Sequence, residues 1–417
     1  MTNDVLELEI AVEAGAVDRR DALVTATLGP EDALFARTAG ECATAVRLTS
    51  LDGHGPVRSG AVPCQLAEGG RLAWLLAGDT PAGSRRRYSC AIERVPGTRL
   101  RVGRVVGEPT GAVAVRLAGD HLWFTQSGRL LARYVYLGNW KPYLWPIMVP
   151  AGNVVRGASH EHQHQTGLFL AYGGHGGAGT TNVWSDWDEP PYGPCGKMVH
   201  RSFDLVEGGP VYGRFVERIT YTRGDGPKLF DEVRDVRVTP LPGGDVLFDF
   251  ERRPEEPAEE GPKPFILGAR VADSMRLVDL TDKDERGRAR PLGRPGALVG
   301  AVEPEMQRPE NATHRAAGPW LDWSGPVGEG TAGLAFFDHP TNPGYGRGIT
   351  AGGYGCVTMR HDFPSGAGSA VFRYRVVAHG GDAAQARIAD RFQDYADPAG
   401  VAVAVVRRPA KEAERAH

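Results

Sequence analysis

The sequence predicts an all-β protein: a large antiparallel β-sandwich preceded by a small β domain, with one C-terminal helix. Three observations carry this. Glycine (56) and proline (31) make up about a fifth of the 417 residues, against a usual ~12%, and their even spread means many turns between short elements. Short segments alternate apolar and polar residues with period two, the mark of half-buried strands. Helical periodicity is confined to two stretches.

From the N-terminus, VLELEIAV, DALVTATL, ATAVRLTSL, AVPCQLA, RLAWLLAG and YSCAIERV are separated by turn residues. They read as the strands of a first domain over residues 1–108. PEDALFARTA is its one short helix, with Pro30 suited to the first turn. A second series of longer strands includes AVAVRLAG, HLWFTQSG, LLARYVYLG, VYGRFVERITYTR, FDEVRDVRVTPL and DVLFDFERR. Gly-Asp and Gly-Gly turns punctuate it, as a large sandwich over 112–405 requires. The charged, proline-rich run ERRPEEPAEEGPK reads as an exposed excursion within a loop, because β patterning resumes at PFILGARV. The C-terminal helix spans about 382 to 395. Asp382 and Gln385 form a capping-box pattern, Ile388, Phe392 and Tyr395 share one face, and Pro398 stops it. Residues 406–417 read as a flexible tail.

Lysine and arginine number 48 against 51 acidic residues, a net charge of -3. That balance supplies no basic field for nucleic acid or for an anionic membrane. No apolar run approaches the ~18 residues of a spanning helix, and the first twenty residues lack the basic start and apolar core of a secretory signal. Five scattered cysteines without a CxxC pair suit a reducing compartment. The expectation is a cytoplasmic protein with neither nucleic acid nor membrane as partner, its oligomeric state unspecified.

The densest chemistry lies in GASHEHQHQTGLFLAYGGHGG. Read as a strand, it points His160, His162 and His164 to one face and Glu161, Gln163 and Gln165 to the other. Alternate residues are ~6.5–7 Å apart at the backbone, so two imidazoles can converge on a metal at ~2.0–2.1 Å. The outer two, ~13 Å apart, cannot both do so, and a metal site would need a residue from another strand. The same pattern also makes a hydrated cleft edge without metal. NVWSDWDEPPYG places Trp184 and Trp187 beside Asp186, which suits the CH faces and hydroxyls of a sugar, though such a segment also makes an ordinary packed loop. His200 and His339 stand alone, as structural histidines usually do. Lys263 and Arg270 fall on opposite faces of a regular strand unless a bulge intervenes. There is no GxSxG elbow, no HExxH helix and no cysteine beside a histidine.

These segments resemble the bacterial family labelled "methane oxygenase PmoA". The residues that carry the resemblance are KPYLWP (141–146), EHQHQTGLF (161–169), VWSDW (183–187), GKMVHRSF (196–203), GPVYGRFVE (209–217), KPFILGARVADSM (263–275), WLDWSG (320–325) and DHPTNP (338–343). It covers roughly residues 115 to 405. Glu161 stands where that family has Asp, Lys141 where it has Arg, and Gln165 where it has a third histidine. His162, His164, His200, Lys263, Arg270, Trp320, Asp338 and His339 match directly, and His160 falls outside the motif. The resemblance implies a supersandwich related to that of galactose mutarotases, in the company of carbohydrate-handling enzymes.

The resulting reading is an enzyme acting on a sugar, sugar acid or glycosylated small molecule by lyase- or isomerase-type chemistry. Its catalytic candidates are His162, His164, Glu161, His200, His339 and Arg270. The substrate-binding candidates are Lys141, Tyr143, Trp184, Asp186, Trp187, Lys263 and Trp320. A divalent metal on His162 and His164 is the cofactor considered, and no nucleotide cofactor is expected. Three alternatives stand beside it. They are a non-catalytic carbohydrate-binding protein, a glycoside hydrolase with two carboxylates, and a metal-dependent oxygenase, which needs a redox-active ion.

Overall fold

The structure, a computed structural model, describes all residues except 1–4, 38–41, 53–59, 68, 97–110, 160–161, 175–181, 187–194, 256–262, 294–295, 309–312, 364–369 and 409–417. It divides into two compact units. The first comprises residues 1–112, 209–212 and 390–417, and the second comprises 113–208 and 213–389.

In β1 (Val5–Glu13) the alternation expected from sequence decides the facing: Leu6, Leu8, Ile10 and Val12 are buried, and Glu9 and Glu13 are exposed. β2 (Arg19–Thr27), α1 (Pro30–Arg37), β3 (Cys42–Ser50), β4 (Ala61–Val62), β5 (Cys64–Ala67), β6 (Arg71–Thr80) and β7 (Arg85–Pro96) follow. They form a three-stranded sheet, β2-β6-β5, and a sheet running β1-β7-β3-β4. Leu8, Ile10, Val24, Leu72, Trp74, Tyr88 and Ile92 fill the core of this unit. The first sheet edge is completed from the far end of the chain, where residues Gly400–Arg407 pair antiparallel with β1. Most of these residues fall within the span 112–405 that the sequence assigns to the large sandwich, yet they belong to the first unit. Period-two patterning identifies a strand but not its partner. Arg408, expected in the flexible tail, pairs with Asp32, and residues from 409 onward lie outside the described set.

The second unit is an antiparallel sandwich. Its first sheet-forming strands are β8 (Val113–Ala118), β9 (His121–Gln126), β10 (Arg129–Val135), β11 (Tyr143–Val149), β12 (Gly152–Asn153) and β13 (Leu168–Tyr172). Then come β14 (Gly196–Glu207), β15 (Gly213–Arg223), β16 (Lys228–Pro240), β17 (Val246–Pro254) and β18 (Pro264–Arg270). A two-stranded excursion, β19 (Val278–Lys283) and β20 (Ala289–Pro291), precedes β21 (Ala297–Arg308), β22 (Thr313–Val327), β23 (Gly330–Asp338), β24 (Ile349–Gly352), β25 (Cys356–Asp362) and β26 (Phe372–Gly380). Pairing gives one sheet in the order β8-β9-β10-β11-β13-β18-β25-β24. The other runs β14-β15-β16-β17-β26-β23-β22-β21, and β22 also meets β24. Phe124, Tyr134, Tyr172, Phe215, Tyr221, Phe230, Phe265 and Phe372 supply an aromatic core between them.

The C-terminal helix is shorter than expected. The capping box forms as read, with Gln385 N–H donating to Asp382 Oδ1 (2.9 Å) and Asp382 N–H to Gln385 Oε1 (3.0 Å). One turn later Arg387 takes a left-handed φ of 52°. Ile388 N–H reaches Ala383 O and Arg387 N–H reaches Ala384 O, the Schellman pattern that ends a helix. α2 (Ile388–Ala396) then starts afresh, followed by β27 (Gly400–Arg407). Among the described residues no helix is long and apolar enough to cross a membrane.

Candidate active site

Directly paired residues on neighbouring antiparallel strands point to the same face. Tyr143 pairs with Phe169, Phe169 with Gly268, and Gly268 with Thr358, forming one row across β11, β13, β18 and β25. Ala171, Ile266 and Arg360 form the next row, and Arg270 with Cys356 a third. The intervening residues Leu168, Leu170, Phe265, Leu267, Ala269 and Val357 belong to the sandwich core. Gly268 leaves room for a ring: a Cβ there would stand 2.6 Å from Phe169 Cζ. Trp184 packs edge-on against Phe169 with centroids 5.7 Å apart, and the Arg360 guanidinium lies 5.5 Å from the Trp184 ring. Asn182 fixes that tryptophan, its Oδ1 accepting from the backbone N–H of Trp184 (2.9 Å) and Ser185 (3.1 Å) in an Asx-type turn.

The histidine segment is not the strand expected from its alternation. His162 adopts a left-handed φ of 56°, and its carbonyl accepts from Gln165 N–H at 2.9 Å. Thr166 Oγ1 closes on the Gln163 carbonyl at 2.8 Å. Gly167 N–H bonds Arg156 O, tying the base of the loop, and Arg270 N–H bonds Gly167 O. Gly167 has φ 62°, and a Cβ there would lie 2.1 Å from Leu144 O. The turn brings the two imidazoles together by a different route, with ring centroids 5.8 Å apart. His164, 3% exposed, faces Trp184 at 5.6 Å, whereas His162 stacks on Tyr354 at 5.5 Å. Beneath them Arg270 donates to Gln165 Oε1 (2.6 Å) and lies 4.6 Å from the Tyr354 ring. Burial lifts the Tyr354 hydroxyl well above the usual phenol range, and so keeps it protonated.

Above the Tyr143–Phe169 row lies a cavity of about 410 Å³. Asn139, Trp140, Lys141, Tyr143, Ser159, Gln163, His164, Thr166, Phe169 and Asp186 line it. Lys141 is 4% exposed, and its Nζ donates to Trp184 O (2.8 Å) and Asp186 Oδ1 (2.5 Å). Burial pushes its pKa below the usual lysine range, and the Asp186 carboxylate opposes that shift. Burial raises the Tyr143 phenol, with Arg133 acting the other way.

Of the residues singled out from sequence, Lys141, Tyr143, His164 and Asp186 meet at the cavity, with Trp184, His162 and Arg270 packed around them. Others do not reach it. His200 is held between the rings of Tyr136 (4.6 Å) and Phe203 (4.5 Å), its Nδ1 bonded to Glu217 Oε1 at 2.7 Å. Glu217 also accepts from the Tyr134 hydroxyl and adjoins a buried ion network of Arg234, Glu232 and Arg252. His339 accepts from Thr341 N–H (3.1 Å), and burial and Arg373 lower its pKa. Trp320 pairs with Phe337 on the other sheet. Lys263 precedes β18 at the end opposite Arg270, about 20 Å away along a strand of seven residues. Glu161, Trp187 and His160 lie outside the described residues. Sequence reasoning missed Asn139, Trp140, Gln163, Thr166 and Phe169, which flank named motif residues. It had no signal at all for Tyr354, which only strand pairing brings near.

His162 and His164 alone do not make up a metal's donor set among the described residues. A zinc-type site takes three or four protein ligands, and among the described residues no group of three or more His, Cys, Asp or Glu converges.

The model of a family of unknown function, DUF6807, matches residues 121–393. The chain belongs to that family. The matched span contains every strand beneath the cavity, and it carries no oxygenase label. No curated protein matches this chain. Among solved structures, one similar chain is described as a protein in glycosyl hydrolase family 38 from Enterococcus faecalis. It is 10% identical with a TM-score of 0.42, and the match covers 97% of this chain and 48% of that one. This chain therefore spans about half the length of that protein.

Proposed function

We propose that this cavity is the active site of an enzyme acting on a sugar or sugar acid by proton transfer of the lyase or isomerase kind. The observation that carries the reading is convergence: an imidazole, an ion-paired ammonium and aromatic rings share one cavity. Sugars present CH faces and hydroxyls together, and such a lining meets both. Tyr143 and Phe169 offer ring surface, while Asn139, Ser159, Gln163 and Thr166 offer donors and acceptors.

In this reading His164 removes the proton beside a carbonyl or carboxyl group. The Lys141 ammonium, oriented by Asp186 and the Trp184 carbonyl, faces the negative charge that develops on oxygen. Tyr143, kept protonated by burial, returns a proton to the departing or re-forming oxygen. His162 acts as a positioning residue through its contact with His164. Hydrolysis by two carboxylates is less well served, because Asp186 is the one carboxylate among the described lining residues and Lys141 already engages it.

Incubation with uronides and keto-sugars in deuterium oxide tests the reading. Deuterium should appear at the carbon next to the carbonyl, or an unsaturated product should form. His164→Gln should lower kcat by about 10²–10⁴, and Asp186→Asn should lower kcat and raise KM together. Saturable sugar binding with neither exchange nor product would instead make the chain a carbohydrate-binding protein. An unimpaired His164→Gln enzyme would move the base elsewhere.

A further inference from the structure

The face that carries the cavity continues outward along β11, β10 and β9, and what it presents there is unusual for an outward-facing sheet. The core-facing residues of these strands, Leu122, Phe124, Tyr134, Leu144 and Ile147, are buried. The opposite face of an antiparallel sheet is ordinarily polar. Here it presents half-buried Trp123, Arg133 and Trp145. Trp123 and Arg133 are direct cross-strand partners. The Arg133 guanidinium lies 5.4 Å from the Trp123 ring and 4.9 Å from the Trp145 ring, and its Nε donates to Trp145 O at 3.1 Å. The result is a tryptophan–arginine–tryptophan ladder across three strands, roughly 10 Å wide.

This ladder abuts the cavity. Trp145 lies two residues from Tyr143 on the same face of β11, and its indole covers Gly157, where a Cβ would stand 2.9 Å from Cε2. The next residues, Ala158 and Ser159, line the cavity with Tyr143. Arg133 is also close enough to act on the Tyr143 hydroxyl. At the far end His121, bonded to Asp120, lies 6.5 Å from Trp123.

We infer that Trp145, Arg133 and Trp123 form an extension of the binding site that takes further units of an acidic oligosaccharide whose end unit occupies the cavity. This inference rests on the carbohydrate reading of the cavity. Ring faces take the CH surface of a sugar. Among the described residues Arg133 has no carboxylate partner, and two indole rings within 5.4 Å flank its planar fork, which suits a carboxylate. A cation without an acidic partner beside aromatic surface selects a uronic-acid chain over a neutral one.

The test uses oligouronides four units long, the matching monomers, and cellotetraose as a neutral tetramer. Affinities are measured by calorimetry and tryptophan quenching on the full chain. The expectation is that one uronide tetramer binds at least tenfold tighter than its monomer, and that cellotetraose does not share the gain. Trp123→Ala and Arg133→Gln should each reduce the tetramer-to-monomer ratio below threefold, with Arg133→Lys intermediate. Circular dichroism excludes loss of fold as the cause. A monomer that binds and is lost in Asp186→Asn, with no advantage for the tetramer, overturns the extension and leaves the cavity reading intact. Tetramer binding that survives Asp186→Asn but fails in Trp123→Ala makes the ladder a site by itself and overturns the cavity reading. Equal gains for cellotetraose overturn the acidic specificity, and no binding by any of these sugars overturns both readings.

Discussion

Glu232 shows how a single side chain ties the sandwich to pH. It is fully buried, and burial alone would push its carboxyl up. The Arg252 and Arg234 guanidiniums outweigh that, with hydrogen bonds from Arg252 and the Tyr221 hydroxyl, and hold it at about 2. In the unfolded chain a glutamate titrates near ~4.3. The stabilisation is therefore present above ~4.3 and is lost as pH falls from there toward about 2. The shift corresponds to an order of 3 kcal/mol. Glu232→Gln should weaken the fold at neutral pH by about 3–5 kcal/mol, since two buried guanidiniums lose their counter-charge. It should also flatten the dependence of stability on pH between ~4.3 and 2. Urea unfolding at pH 7, 4 and 3 measures both effects, and an unchanged acid slope would assign the titration to another carboxyl. His200 belongs to the same buried cluster through Glu217, which is why a histidine in a motif segment serves the interior rather than the cavity.

At the scale of elements, backbone conformation explains which sequence signals translated. The alternation in β1 survives because that strand has one face on a core. The alternation of His160, His162 and His164 looked the same on paper, yet a left-handed residue at 162 turns the chain. Nothing in a histidine announces that conformation. The glycine four residues before Ala171 does announce one: Gly167 needs φ 62° and leaves no space for a Cβ. Gly167→Ala should therefore cost several kcal/mol in chemical denaturation and loosen the loop that carries His164, lowering activity at temperatures where the chain is still folded. Unaltered stability would mean that Leu144 yields at little cost. Arg387 gives the converse case. It ends the capped turn in a conformation that costs a non-glycine residue roughly 1–2 kcal/mol. Arg387→Gly should raise the melting temperature, and a fall would show that the arginine side chain contributes more than its backbone costs.

Over the whole molecule, strand content was legible while partnership was not. Lys141 and Asp186 are 45 residues apart, and Arg270 meets Gln165 across 105. Those pairings arise from sheet order, which period-two patterns leave open. The same limit hides which unit the chain's end belongs to. β27 pairs with β1, and Ala399, Val401 and Val403 pack on the core of the first unit. Two further ties reach this unit from the chain's end: Arg19, 1% exposed, donates to Asp394 at 2.8 Å, and Arg408 pairs with Asp32. Ending the chain after Pro398 would strip β1 of its outer neighbour while β7 stays paired, bare a hydrogen-bonding edge and uncover apolar surface, a combination that favours aggregation. The second unit has its own core and keeps all of its strands. Limited proteolysis should then cut the truncated chain first between residues 5 and 96, while 113–389 remains protected. A synthetic peptide of residues 398–408 should restore part of the lost protection by re-forming the edge pairing. If instead 113–389 is digested as quickly as the N-terminal region, the two units unfold as one and the C-terminal strand stabilises the entire chain.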